Sequence, residues 1–156
     1  MTSMKTVSNT RIFIDTNILF YANNPADAFG LQAIARIDEL AEAANELIIS
    51  TQVIREYTAV TLRNAQHHKL PMETAITKVL NNVAIFRRDF TVVGEKSDTL
   101  DNWLSLLPQI TTSRDVFDFN IAATLQSERI DCILTHNTSD FKKFSSWLTV
   151  LPLMTT

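Results

Sequence analysis

Four acids stand where an ionised side chain is either poised at an edge or out of place: Asp15, Glu56, Asp118 and Asp140. Asp15 closes the short apolar run Arg11-Ile-Phe-Ile-Asp15, and Asp140 lies five residues past Thr135, which closes the run Cys132-Ile-Leu-Thr135. Glu56 shares a helical stripe with Val53, Tyr57 and Val60, and Asp118 shares one with Ile121, Ala122 and Leu125. A lone carboxylate facing a core is expensive unless it is paired or binds a cation. For any single acid at a helix start, capping or the helix dipole is the commoner explanation, and Asp15 alone could cap the helix that follows it. Four acids sharing one edge shift the balance toward a functional cluster.

Carboxylates packed together repel one another, and a divalent cation relieves that repulsion. Oxygen-only donors favour Mg²⁺ or Mn²⁺, as one or two ions, over zinc, which would ask for thiolate-rich spacing that this chain lacks. Carboxylate-held metal can activate water for phosphodiester cleavage, so no histidine base is required. Asp15 and Asp140 are the preferred direct ligands, with Glu56 and Asp118 completing the set directly or through water. Asn17, Thr135 and Asn137 are placed to orient ligands or water around them. Asp115, one turn before Asp118, could join the cluster, but Thr112-Ser-Arg-Asp115 also has capping-box spacing, so it is set beside the cluster rather than in it. Arg114, Lys142 and Lys143 flank the expected crevice and are the candidate contacts to a nucleic-acid strand, whereas Arg63 and Arg87-Arg88 read as solvated faces. His67 and His68 are adjacent and cannot face one ligand, and His136 reads as a loop histidine.

The elements that must position these side chains alternate in type. Short apolar runs at Arg11–Asp15, Leu47–Ile49, Phe90–Val93, Cys132–Thr135 and Trp147–Leu151 read as strands. Between them, helical patterns cover about 16–23, 31–45, 52–66, 71–87, 97–107 and 114–128, with a turn and short helix over 137–144. Ser50 or Thr51 is the expected N-cap of the third helix. Strands this continuously apolar, alternating with helices, predict an α/β domain: a mainly parallel sheet of about five strands with helices on both faces. In such sheets ligands bind at the carboxyl ends of the strands, where Asp15 and Asp140 stand, provided the first and fourth strands are neighbours.

The bulk numbers agree with one folded domain. A chain of 156 residues can bury one proper core, and 46% apolar with 20% charged residues is ordinary globular usage. A polar lead over residues 1–10 precedes a single domain over 11–156. Only two glycines occur, Gly30 and Gly94, so long elements with few special turns are expected. The net charge of −3 argues against a non-specific DNA binder, which would be basic, but not against an enzyme that meets phosphates through metal ions. One cysteine, Cys132, cannot form an internal disulfide, and no signal or membrane-length apolar run is visible, so a cytoplasmic location is expected.

Together these segments resemble the PIN-domain family and, within it, the VapC-type toxins of toxin–antitoxin pairs. The resemblance is carried by Ile14-Asp-Thr-Asn-Ile-Leu19, by Ser50-Thr-Gln-Val-Ile-Arg-Glu56-Tyr, by Val116-Phe-Asp118-Phe-Asn-Ile121-Ala-Ala-Thr124, and by Ile133-Leu-Thr135-His-Asn137-Thr-Ser-Asp140-Phe141. An Asp-Thr-Asn tripeptide alone is weak. The third block followed closely by the fourth is much more specific, and all four acidic positions are matched. The resemblance implies a strand order of 3-2-1-4-5, Mg²⁺- or Mn²⁺-dependent cleavage of an RNA substrate, frequent homodimers and, for toxin members, a small antitoxin partner.

Other classes fit less well. A phosphatase of the haloacid dehalogenase type would want a second Asp two residues after the first, where this chain has Asn17. A receiver domain would need a lysine after a late strand, and none is well placed. A PIN-domain RNA-processing or decay nuclease without an antitoxin, and a non-catalytic PIN-like binding module, are the remaining alternatives.

Overall fold

A computed structural model describes residues 7–154 of the chain, so residues 1–6 of the expected polar lead lie outside it. The elements are β1 (Arg11–Ile14), α1 (Thr16–Ala22), α2 (Gly30–Glu42), β2 (Glu46–Ser50), α3 (Thr51–His67), α4 (Met72–Asp89), β3 (Thr91–Val93), α5 (Thr99–Leu106), α6 (Asp115–Glu128), β4 (Cys132–Thr135), α7 (Thr138–Phe141) and β5 (Thr149–Pro152). Short 3-10 turns follow α5 at Leu107–Gln109 and α7 at Lys142–Phe144. All strands pair in parallel, in the order β3-β2-β1-β4-β5 implied by the family likeness. Among the described residues no helix is long and apolar enough to cross a membrane.

Ile12, Phe13 and Ile14 of β1 are each 0% exposed. Successive strand side chains point to opposite faces, so layers must cover both sides of the sheet. From β1 the chain builds outward twice, first to β2 and β3 and later to β4 and β5; the right-handed crossover rule then puts the connecting helices of the two halves on opposite faces. Phe13 sits opposite Ile48 of β2 and Ile133 of β4, which places β1 at the centre of the apolar core.

Boundaries differ from expectation where local chemistry intervenes. Proline lacks a backbone N–H, and with Pro108 in its path α5 gives way to a 3-10 turn. The last strand starts at Thr149, because the Trp147 and Leu148 N–H groups donate to the Phe144 carbonyl and hold those residues in a turn. The expectation of few special turns is also corrected. Ala44, Lys69 and Arg129, just past α2, α3 and α6, take left-handed backbone at φ 60°, 55° and 54° without being glycine.

Gly30 is required by close approach. A Cβ there would meet the Asn24 carbonyl oxygen at 2.5 Å and the Pro25 Cα at 2.7 Å, both backbone atoms. Gly30→Ala is therefore expected to cost about 1–3 kcal/mol, as overpacking does, and to lower the melting temperature by several degrees. An unchanged melting curve would mean that the 24–25 segment shifts freely.

Candidate active site

At the centre of the sheet, where the order of strand addition switches from one side of β1 to the other, β1 and β4 end side by side. The Asp15 N–H continues their ladder by donating to the Leu134 carbonyl at 3.0 Å. The Asp15 side chain then does two jobs. Oδ1 caps α1 by accepting from the Thr16 N–H at 2.8 Å, and Oδ2 accepts from Thr135 Oγ1 at 2.7 Å. Asn17 braces the same corner. Its Nδ2 lies 3.4 Å from both Asp15 Oδ2 and Thr135 Oγ1, while its Oδ1 accepts from the His136 N–H. The Asn137 N–H donates to Thr135 Oγ1 at 3.1 Å, so a fully buried threonine ties both strand ends together.

Glu56 reaches the same place from α3. Ser50 ends β2 and also caps α3, its Oγ accepting from the Val53 N–H at 3.2 Å, so no loop loosens the transition. Both Glu56 oxygens are held: Thr16 Oγ1 donates to Oε2 at 2.8 Å and Gln52 Nε2 to Oε1 at 2.5 Å. Asn120 Nδ2 donates in turn to Gln52 Oε1, joining α6 to α3. Sequence reasoning missed Thr16, Gln52 and Asn120. Their only signals were adjacency to Asp15, one-turn spacing from Glu56, and a place two residues after Asp118.

Asp15, Glu56, Asp118 and Asp140 line one cleft of about 630 Å³, together with Asn17 and Asn137. Burial pushes the Asp15 carboxyl up to about 6; its Thr135 and Thr16 hydrogen bonds oppose this, and Glu56 and Asp140 add repulsion. Asp118 is pushed up to about 7, first by burial and then by the charges of Asp140 and Asp15, with Lys143 opposing. Asp118 is the less buried of the two yet rises further. The difference has a cause: Asp15 accepts hydrogen bonds that favour its ionised form, whereas none from the described residues reaches Asp118.

The donors suit a hard cation in type and charge, since all are oxygens and none of the four acids is in a salt bridge among the described residues. They do not close on one point: among the described residues no three His, Cys, Asp or Glu side chains converge into a metal cluster. Mg²⁺ tolerates this better than zinc, because it keeps several waters and needs only one or two carboxylates.

The other sequence candidates separate. Arg114 lines the cleft, and so does Arg63, which the sequence suggested was a solvated face. Lys142 and Lys143 are not part of the cleft wall. Lys143 Nζ donates to Asp115 Oδ1 at 3.1 Å and lies 4.9 Å from the Phe119 ring centre. Asp115 turns away from the cluster to clamp the preceding loop, its Oδ2 accepting from the Thr111 and Thr112 N–H groups at 3.1 and 3.3 Å. Those bonds and Lys143 hold its carboxyl down at about 2. Only the backward half of the capping box forms. His136 packs against Phe29 and Tyr21, with ring centres 4.4 and 5.5 Å apart, and His68 bonds the Asn64 carbonyl at the end of α3.

The family model of the PIN domain matches residues 12–146. No curated protein sequence matches the chain. Among solved structures it is similar to VapC20 of Mycobacterium tuberculosis, a sarcin–ricin-loop-cleaving toxin, with 17% identity over 78% of this chain and 86% of that one and a TM-score of 0.57. It is similar to the VapBC2 structure of Rickettsia felis bound to a promoter DNA fragment, with 19% identity, coverage of 92% and 98%, and a TM-score of 0.61. FitAcB of Neisseria gonorrhoeae gives 16% identity, coverage of 91% and 97%, and a TM-score of 0.62. At these identities the likeness is one of fold.

Proposed function

Since the chain belongs to the PIN-domain family, we propose that its acidic cleft cuts RNA internally as an Mg²⁺- or Mn²⁺-dependent endoribonuclease, the toxin half of a VapBC-type pair. The observation that carries this reading is the convergence of four carboxylates from four separate segments on one cleft, none of them in a salt bridge among the described residues. Carboxylates kept for stability alone would be paired or solvated, whereas burial and then neighbouring carboxylates raise Asp15 and Asp118.

Asp15 and Asp140 would hold the ion, with Asp118 and Glu56 completing its surroundings directly or through bound water. Bound there, a divalent ion supplies positive charge to the scissile phosphate and acidity to the attacking water. The chain's own contribution is orientation. Thr135 and Asn17 fix the Asp15 carboxylate, and Thr16 and Gln52 fix Glu56. Arg114 and Arg63 offset phosphate charge at the cleft wall.

The antitoxin assignment is supported by likeness to a toxin–antitoxin complex of Klebsiella pneumoniae, in which the match covers 99% of the similar chain. On this reading the partner covers the cleft, and the enzyme acts on cytoplasmic RNA as a homodimer. A circular RNA tests the core of the proposal. In Mn²⁺ the circle is opened by an internal cut and then shortened, and in EDTA it stays closed. Equal opening in EDTA sinks the metal-dependent reading.

A further inference from the structure

Phe117 is 64% exposed, yet it lines the same cleft as the four acids. Its neighbours on that wall include Arg63 and Arg114, neither of which has a salt-bridge partner among the described residues. We propose that Phe117 is a stacking platform for an unpaired nucleobase beside the scissile phosphate, so that this chain selects single-stranded segments of RNA. The inference rests on the nuclease reading and adds to it a specificity-determining residue.

Three features of the site favour this occupant. Phe117 immediately precedes Asp118 in the first turn of α6, so a base on its ring lies beside the acids rather than on a remote face. Its carbonyl accepts from Gln52 Nε2 at 3.4 Å, and that amide also donates to Glu56. The backbone that carries the ring is thus linked through one amide to Glu56. The charge is also complementary: unpaired arginines on the same wall suit a polyanion, whereas an apolar protein segment laid here would strip water from charges that it could not pair. Aromatic rings accept every base by its π-face, but a base inside a duplex has both faces covered. Phe117 therefore reads strandedness and not sequence.

The test uses Asp15→Asn as a non-cutting background in Mg²⁺, titrated into a short single-stranded oligoribonucleotide carrying 2-aminopurine, and into the matching duplex. Stacking quenches the 2-aminopurine emission. Quenching by the background protein is expected, with Phe117→Ala added weakening single-strand binding about 10- to 100-fold and abolishing the quench. Phe117→Tyr should restore both, and the duplex should bind no better than the alanine variant binds the single strand. Melting curves check that the exposed substitution leaves the fold intact.

No binding to the single strand, equal affinity with alanine, or equal affinity for the duplex overturns the proposal. The last two results are also what a platform reserved for a protein partner would give. Failure of the nuclease reading looks different: the parent chain quenches and binds but never cuts. If instead Phe117→Ala in the active parent cuts single strands with unchanged KM, the stacking role falls and the nuclease reading stands.

Discussion

Replacing Asp15 by asparagine is expected to lower RNA cleavage about 10³-fold while leaving the fold and its melting temperature nearly unchanged. The two outcomes separate because Asp15 has two roles. As N-cap of α1 it needs only an oxygen to accept from the Thr16 N–H, and Asn caps a helix about as well as Asp. The amide can also keep one bond with the rotatable Thr135 hydroxyl. What disappears is the negative charge and one oxygen donor. Asp15→Ala is the contrasting variant. It removes the cap, worth about 1 kcal/mol, and leaves the buried Thr135 hydroxyl without its acceptor, at a further cost of about 1–3 kcal/mol. Single-turnover rates and thermal melts of both variants check this. More than a tenth of parental activity in the asparagine variant would remove Asp15 from the reaction.

Without metal, the protein is expected to lose stability as pH rises from 5 to 8, and millimolar Mg²⁺ or Mn²⁺ should restore it. The folded-state pKa values of Asp15 and Asp118, about 6 and about 7, lie above the ordinary 3.8. Between those limits the native state holds protons that the unfolded chain has released, so stability falls with rising pH. The stabilisation is whole below about pH 3.8 and gone once pH has passed 6 for Asp15 and 7 for Asp118. From pH 5 to 8 the two together cost about 2 kcal/mol, with Asp118 discounted because it is partly exposed. That corresponds to about 4–8 °C in melting temperature. Asp115, held at about 2, has already given its stabilisation above 3.8 and is flat across this window. A cation that binds only the folded form reverses the loss by mass action. Asp118→Asn should melt higher than the parent at pH 8 in EDTA, gain less from metal, and lose activity, trading stability for function. A parental melting temperature that is flat or rising over this range in EDTA would show that burial and neighbouring charge do not raise Asp15 and Asp118 as described.

The acids were legible because each broke a local rule: two closed or followed apolar strands, and two sat on apolar helical stripes. The five strands were legible because runs such as Ile12-Phe-Ile14 and Cys132-Ile-Leu-Thr135 are apolar on both faces, although their order came from family likeness rather than from pattern. Asn17 and Thr135 were legible as orienting groups, but the link that joins α6 to α3 left no local trace. Gln52 and Asn120 are 68 residues apart, and nothing near either one names the other. Arg63 was legible in principle, since it follows Glu56 by seven residues and Val60 by three and so shares their stripe. Lys143 misled because nearness in sequence to Asp140 is not nearness in direction; a 3-10 turn aims it at Asp115. Helix ends were blurred because Ala44, Lys69 and Arg129 take the left-handed position that glycine usually marks.

The hydrogen bond from Thr135 to Asp15 joins residues 120 apart. A growing chain therefore holds its first acid long before it holds the threonine that orients it, and α6 and α7, which bring Asp118 and Asp140, also come late. At about 5–20 residues per second, roughly 6–24 s separate the synthesis of the two ends of that bond. Through that interval a ribosome carries an incomplete and inert cleft, although it is itself built of RNA. On the toxin reading, a partner made alongside would have that time to be present when the last strands dock.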